Sequence, residues 1–225
     1  MEKELKRDRA HQTYHIEVDG KKVRVPGVTT ITGVLDKPAL KYWGNKIGLQ
    51  GIDIKSYVDT RANMGTCAHD MVEAFLLGKE PYLDEFSKVE IDSAENSVLS
   101  FFEAIKGVDY KVLGVEMQLV SAAHRFGGTC DVYWLYNGAY RLTDLKTGKD
   151  IYPEMWTQVA AYRQLLIENG HPVDEVSIMN IPRAEDEAFK HETIDSGKMA
   201  VHWEIFQHCR AIYELNKQTG GKSWT

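Results

Sequence analysis

Two aspartates, Asp131 and Asp144, lie on either side of an Asn137-Gly138 dipeptide, and Lys146 follows the second of them. Asn-Gly between two apolar runs is a strong hairpin signal, because both turn residues must take positive φ. Counting outward from the turn in equal steps pairs Tyr136 with Ala139, then Asp131 with Asp144, then Thr129 with Lys146. Facing residues have Cβ atoms about 4.5–5.5 Å apart, and like charges so placed destabilise a sheet. A hard divalent cation between the two carboxylates reverses that sign. Asp144 and Lys146 are two apart on one strand and so share a face. An ammonium beside metal-binding carboxylates suits stabilisation of charge at phosphorus, or orientation of an attacking water. The competing reading is a surface hairpin in which Lys146 merely compensates the acids. Trp134, Leu135, Leu142 and Leu145 weigh against it, since they read as buried sheet, where unpaired acids are costly.

Further residues extend the constellation. Glu116 sits on the preceding alternating segment and brings a third carboxylate if that strand pairs beside Asp131; otherwise it is an edge-strand glutamate. His69 offers a neutral imidazole, a good metal ligand, although a single helical histidine is more often structural. Arg61, Thr66 and His69 share one broad helix face, from which Arg61 can hold a phosphate in bidentate fashion. Gly65 inside that helix costs roughly 1 kcal/mol against alanine. Close approach of a backbone or substrate explains it, and so does helix packing. Gln158 and Tyr162, four apart on the helix after Asp144, can reach the same site together.

The elements that must position these residues follow from periodicity. Tyr14–Val18 and Lys21–Val25 flank Asp19-Gly20, a second hairpin signal. Helical patterning runs from Val28 to Leu35, breaks near Pro38 and resumes through Leu40, Trp43 and Ile47. Asp53 is placed to cap a long helix that Gly78 ends, and another helix covers Glu85 to Ile105. Alternation then takes over in Lys111–Val120, Thr129–Tyr136 and Ala139–Lys146. A helix over Glu154–Glu168, strands at Val173–Ile181 and Phe189–Ile194, and a helix over Lys198–Asn216 complete the chain. The pattern is α/β.

Bulk composition narrows the classes. The chain has 225 residues, 43% of them hydrophobic, which fits a globular domain with a proper core. No apolar run approaches the roughly 20 residues of a membrane span, and Met1–Ala10 lacks the apolar stretch of a signal peptide. A cytoplasmic location is expected, with Cys67, Cys130 and Cys209 as buried, reduced thiols. Net charge is −6, but residues 1–48 hold ten Lys/Arg against six Asp/Glu. An acidic body accommodates a phosphate backbone when divalent cations lie between them. The basic N-terminal segment, with Tyr42 and Trp43, can form a wall that stacks on a single strand, though Trp43 also suits a core position.

Five pieces follow one another in order: Gly65-Thr66-x-x-His69, Glu116 on a strand, Gly128-Thr129-x-Asp131, Asp144-Leu145-Lys146-Thr147-Gly148 and Gln158-x-x-x-Tyr162. Over about residues 60–165 the chain thus resembles the PD-(D/E)XK nuclease superfamily, specifically its RecB-like branch. Val25-Pro26-Gly27-Val28-Thr29-Thr30-Ile31 also resembles the segment that opens phage-type exonucleases and the mitochondrial genome maintenance exonuclease, with Gly27 departing from the commoner Pro-Ser-Val-Thr form.

The resemblance implies a restriction-endonuclease-like core, a mixed central sheet with an antiparallel meander flanked by helices. It implies one nuclease domain over 1–225, with an N-terminal hairpin and helical segment in 1–50 and the core in 53–217. It implies one or two Mg²⁺ or Mn²⁺ ions held by Asp131, Asp144 and the Leu145 backbone carbonyl. His69 would be a further ligand, and Glu116 a ligand or a water-positioning group. Lys146 would be the catalytic lysine, with Gln158 and Tyr162 supporting it and contacting DNA. Some relatives carry four cysteines for an iron–sulfur cluster; with three, and no close pair, no cluster is expected here. The implied activity is exonucleolytic hydrolysis of single- or double-stranded DNA ends in phage replication or recombination, in the host cytoplasm, with a recombination or single-strand-binding protein as partner. Two rivals stand beside it: a structure-selective endonuclease of the same superfamily, and a catalytically silent DNA-end-binding recombination partner.

Overall fold

The computed structural model describes residues 4–5, 12–35, 37–184 and 187–220. A two-residue strand β1 (Glu4–Leu5) precedes the hairpin of β2 (Tyr14–Val18) and β3 (Lys21–Val25). Asp19 and Gly20 both take positive φ, as a two-residue hairpin turn requires. A single helical turn follows, α1 (Val28–Thr32), shorter than the expected span to Leu35 because Gly33 takes its C-cap. Pro38 does not break a helix; it opens α2 (Pro38–Leu49), where its missing N–H costs nothing.

The long helix α3 (Ile54–Leu77) has the expected ends. Asp53 accepts a hydrogen bond from the Ser56 N–H at 2.7 Å, and Gly78 closes the helix in the left-handed region. After β4 (Glu80–Pro81), α4 (Lys88–Ile105) begins three residues later than expected, at a capping box in which Ser87 and Glu90 satisfy each other's N–H groups.

Then come the meander β5 (Tyr110–Ser121), β6 (Phe126–Tyr136) and β7 (Ala139–Lys146), the crossover helix α5 (Pro153–Glu168), β8 (Glu175–Asn180) and β9 (Lys190–Asp195). A 3-10 turn (Ser196–Met199) leads into α6 (Ala200–Gln218).

Five strands form one mixed sheet in the order β5-β6-β7-β8-β9, antiparallel except for the β7–β8 pair. The expected fold class is the one found: a restriction-endonuclease-like α/β core with an N-terminal hairpin. One face of the sheet is closed by α1, α5 and α6, with Phe126, Leu142, Leu165 and Phe206 at its centre. The other face is closed by α3 and α4, around Phe101, Trp134, Leu145 and Met179. Both layers are water-excluded, which is the main force holding the sheet between them. The three cysteines are buried, as expected.

One expectation about register needs correction. The β6–β7 ladder holds from Tyr136/Ala139 to Val132/Thr143 and ends there. Asp131 is therefore not the ladder partner of Asp144, nor Thr129 of Lys146. The Leu145 N–H donates to Asp131 Oδ2 at 2.7 Å, so a carboxylate takes the place of a backbone acceptor at this point.

The cause is a change of phase in β6. Cys130 packs in the layer under α5, while Val132, two residues on, packs in the layer under α3 and α4. Residues two apart in a regular strand share a face, so the strand twists out of alternation at Asp131. The neighbouring strand is irregular at the matching point. Val115/Val132 and Met117/Cys130 pair on either side of Glu116 and Asp131, and Glu116 itself has φ of +49°. For a side chain that large, this backbone conformation costs of order 1–3 kcal/mol and persists only where the surroundings impose it.

Candidate active site

The two irregular positions face a histidine. Four turns and more of helix precede His69 on α3, and its Nδ1 lies 4.0 Å from Glu116 Oε1 and 3.9 Å from Asp131 Oδ1. One donor atom from each of the three residues lies within 4.8 Å of the others. The sheet supplies both carboxylates from adjacent strands, so their spacing is set by strand geometry rather than by loops. Left-handed backbone at Glu116 and the phase change at Asp131 turn both acids toward α3.

Asp144 and Lys146 stand beside this group. Asp144 is 2% exposed and its Oδ2 lies 2.6 Å from Lys146 Nζ. The contact is a close ion pair between a buried carboxylate and the ammonium that balances it. Burial works to lower the Lys146 pKa, but the Asp144 and Asp131 carboxylates outweigh it and hold the ammonium above its ordinary value. An ammonium so placed is suited to donate to a developing negative charge. Two neighbours register the same concentration of charge. Burial, and then Asp131, Asp144 and Glu116, push the Cys130 thiol well above its usual range. Burial, and then Asp144 and Asp131, do the same to the Tyr162 phenol, which keeps it a hydrogen-bond donor.

These groups line or underlie an open cleft of about 380 Å³ between α3 and the sheet. Two glycines permit its walls to meet. A Cβ on Gly65 would lie 2.7 Å from Thr147 Oγ1, so α3 closes onto the turn after Lys146 only because that position has no side chain. A Cβ on Gly128 would lie 2.8 Å from the Tyr162 ring. Opposite α3, Tyr14 of the N-terminal hairpin reaches across to share a 2.8 Å hydrogen bond with Thr129 Oγ1, and Thr129 donates to Gln12 at 2.6 Å. The hairpin is anchored there by the Gly127 N–H, which donates to the Pro26 carbonyl at 3.0 Å, and by a Gly27–Gly127 bridge.

The donor set fits a small divalent cation. Carboxylate oxygens with one imidazole are a donor set that can hold a divalent metal ion. Oxygen donors bind Mg²⁺ at about 2.0–2.1 Å, so atoms gathered within 4.8 Å of one another need only small side-chain rotations to share an ion. Asp144, whose charge acts on Lys146 and Tyr162 together with that of Asp131, is a further carboxylate nearby.

No protein-family model matches the chain, and no curated protein matches it in sequence. Two solved structures resemble it in shape. A candidate exonuclease from Eubacterium rectale is 10% identical, with a TM-score of 0.48, over 71% of this chain and 69% of its own. An alkaline exonuclease from Laribacter hongkongensis is 11% identical, with a TM-score of 0.38, over 87% of this chain and 92% of its own. Likeness at this level leaves the site's own residues as the ground for function.

The residues singled out in the sequence fall into three groups here. His69, Glu116 and Asp131 converge, with Asp144, Lys146 and Tyr162 packed beside or beneath them. Leu145 meets the site through its N–H, donated to Asp131. Arg61 and Thr66 line the same cleft; Arg61 Nη2 donates to the Tyr57 hydroxyl at 2.9 Å, and Thr66 Oγ1 donates back to the Ala62 carbonyl at 3.0 Å. Gln158 Nε2 donates to Thr32 Oγ1 at 3.3 Å and ties α5 to α1.

Sequence reasoning passed over Tyr14, Gln12 and Thr147 as site residues, and Asn180, whose Oδ1 accepts the Gly148 N–H at 3.0 Å and fixes the turn after Lys146. Nothing local to Tyr14 signals its place, since a docking across 115 positions sets it. The Gly65 cost in mid-helix was a usable signal; the group it admits, Thr147, was not deducible.

Proposed function

We propose that this protein is a Mg²⁺- or Mn²⁺-dependent deoxyribonuclease that hydrolyses phosphodiester bonds at DNA ends, an exonuclease of phage type. The observation that carries this reading is the meeting of His69, Glu116 and Asp131, with Asp144 and Lys146 adjacent. Lys146 offsets part of the charge of these three acids, and a divalent cation bound among them and the imidazole would offset the rest. Asp131, Glu116, His69 and Asp144 would hold the ion, which when bound supplies Lewis-acid polarisation of a phosphoryl oxygen.

The remaining roles belong to the chain's own groups. Lys146 keeps its proton and donates toward the charge that develops on the phosphoryl oxygens. Tyr162, protonated close to Asp131 and Asp144, offers a second donor, a neutral one. Arg61, at the mouth of the cleft, suits a non-bridging phosphate oxygen. The ordered motif set, and its resemblance to RecB-like nucleases, supports DNA as substrate. A role in phage DNA replication or recombination, and a cytoplasmic location, belong to the same proposal. Among the described residues no helix is long and apolar enough to cross a membrane.

End-labelled single- and double-stranded DNA, incubated with Mg²⁺, Mn²⁺ or EDTA, tests the reading. Release of mononucleotides from one end with either metal, abolished by EDTA and by Asp144→Ala, is expected. Cutting of a circular single strand would mean the endonuclease alternative. Activity unchanged in both Asp144→Ala and Lys146→Ala would overturn the assignment of the site.

A further inference from the structure

The wall of the cleft opposite α3 carries a short chain of hydrogen bonds, and the group at its end still has donors to give. Thr129 Oγ1 lies 2.6 Å from Gln12 Oε1. An amide oxygen only accepts, so the single Thr129 proton is directed at Gln12. Tyr14 is then the donor in its 2.8 Å contact with Thr129, and its hydroxyl also stands 3.3 Å from Gln12 Oε1. Burial holds the Tyr14 phenol above its ordinary range, so that proton is kept. Two hydroxyls thus fix Gln12 by its oxygen. Its Nε2 carries two N–H groups, and among the described residues neither is donated.

The arrangement is seated firmly. A Cβ on Gly127 would overlap the Tyr14 side chain, and one on Gly27 would lie 3.1 Å from Tyr14 Cε2, so the ring fits only because both positions are glycine. Thr129 precedes Asp131 by two residues on β6, which ties the amide to the strand that carries that acid. Gln12, Tyr14 and Thr129 line the same cleft as Arg61 and His69 of α3. The acids in that cleft repel the phosphates of a strand, and donors offset the repulsion. Base edges change with sequence, whereas backbone phosphates flank every bond of a strand. A neutral donor fixed in advance therefore suits a phosphate oxygen, the commonest acceptor in protein–DNA contacts together with the sugar.

We propose that Gln12 is a DNA-backbone contact, its amide N–H donating to a non-bridging oxygen of a phosphate next to the scissile one, with Tyr14 and Thr129 as the residues that position it. The inference rests on the nuclease reading for its choice of DNA, but its test does not require cleavage. A hydrogen bond to a charged acceptor typically changes affinity by about tenfold or more.

Binding of a fluorescent oligodeoxynucleotide is measured in EDTA, with one phosphate at a time replaced by an uncharged methylphosphonate. In the wild type, replacement at one position near the bound end is expected to weaken binding about tenfold or more. Gln12→Ala binds the unmodified strand more weakly by a similar factor and no longer responds to replacement at that position. Gln12→Glu keeps an oxygen for Thr129 and Tyr14 but sets a carboxylate against the phosphate, so at that position the preference reverses toward the methylphosphonate. A side chain that only held the hairpin in place would weaken all strands alike and reverse none. The scan with unaltered protein tests the contact even if a variant does not fold. No sensitive position in the wild type, sensitivity everywhere unchanged in Gln12→Ala, or no reversal in Gln12→Glu would overturn the proposal. Hydrolysis of the unmodified strand by the wild type with Mn²⁺ reads the acid cluster separately. A Gln12-dependent position without any hydrolysis would keep the contact and sink the nuclease reading; hydrolysis without such a position would do the reverse.

Discussion

Gly65→Ala tests how α3 is seated against the turn that follows Lys146. In an exposed helix interior, alanine is better than glycine by about 0.8–1.0 kcal/mol. Here the new Cβ would lie 2.7 Å from Thr147 Oγ1 and 3.9 Å from Thr147 Cβ. Real Cβ atoms essentially never approach within 3.0 Å, so the first contact forces a shift and the second is ordinary. Overpacking of this kind costs about 1–3 kcal/mol. The net for Gly65→Ala is then a loss of up to about 2 kcal/mol, against the gain that propensity alone promises.

Thr147→Ala deletes the offending oxygen and leaves only the 3.9 Å contact. In that background Gly65→Ala should stabilise by about 1 kcal/mol. The two substitutions are expected to couple by about 1–3 kcal/mol in a double-mutant cycle. At about 2–4 °C per kcal/mol for a chain of this size, thermal or urea unfolding of the four proteins resolves the difference. Activity should fall with the single variant, because His69 is one turn further along the same helix and must move with it. If Gly65→Ala raises stability equally with threonine or alanine at 147, the close approach has no energetic content and the argument fails.

Glu116→Gly is expected to raise the melting temperature by a few degrees, through relief of about 1–3 kcal/mol of left-handed strain, while metal-dependent cleavage is lost; a lower melting temperature in metal-free buffer would contradict the strain. Lys146→Met leaves Asp144 buried without its cation, so the metal-free protein should lose stability, and added Mn²⁺ should raise its melting temperature more than it raises the wild type's. Equal Mn²⁺ shifts in the two proteins would contradict this. Glu90→Ala removes the capping box and the tie to Asn63, and should cost about 0.5–2 kcal/mol at neutral pH. The Ser87 N–H, with Asn63 and the Ser87 hydroxyl, holds the Glu90 carboxyl below its ordinary range. Its contribution is therefore present above about pH 4.3 and lost as pH falls through the lower folded-state value. Urea unfolding from pH 7 to pH 3 should show the wild type and Glu90→Ala converging at the acid end.

Much of the sheet was legible because local signals and tertiary demands agree in it. Asn137-Gly138 fixed the β6–β7 turn, and Asp53 and Gly78 fixed both ends of α3. Glu116, Asp131 and Asp144 stood out because acids are costly in strands otherwise built of apolar side chains. The convergence of Glu116 with Asp131 was conditional on strand order, and the order proved to be the simple meander. What the periodicity could not show was its own failure. Alternation assumes regular strands, and the site lies where two adjacent strands leave it. The expected aspartate pair was accordingly misplaced by the ladder's early end at Val132/Thr143. Tyr14 and Gln12 were illegible for another reason: their place depends on how a distant hairpin docks, which no local pattern encodes.

The phase change in β6 has a mechanical meaning. Asp131 is the residue at which the strand passes its side chains from one apolar layer to the other, so it belongs to neither. A substitution deep in the α5 layer and one deep in the α4 layer would each tug on the same carboxylate from opposite sides. The acids proposed to hold the metal stand where two separately packed layers meet, and a slight slippage between those layers would alter the spacing of the proposed ligands.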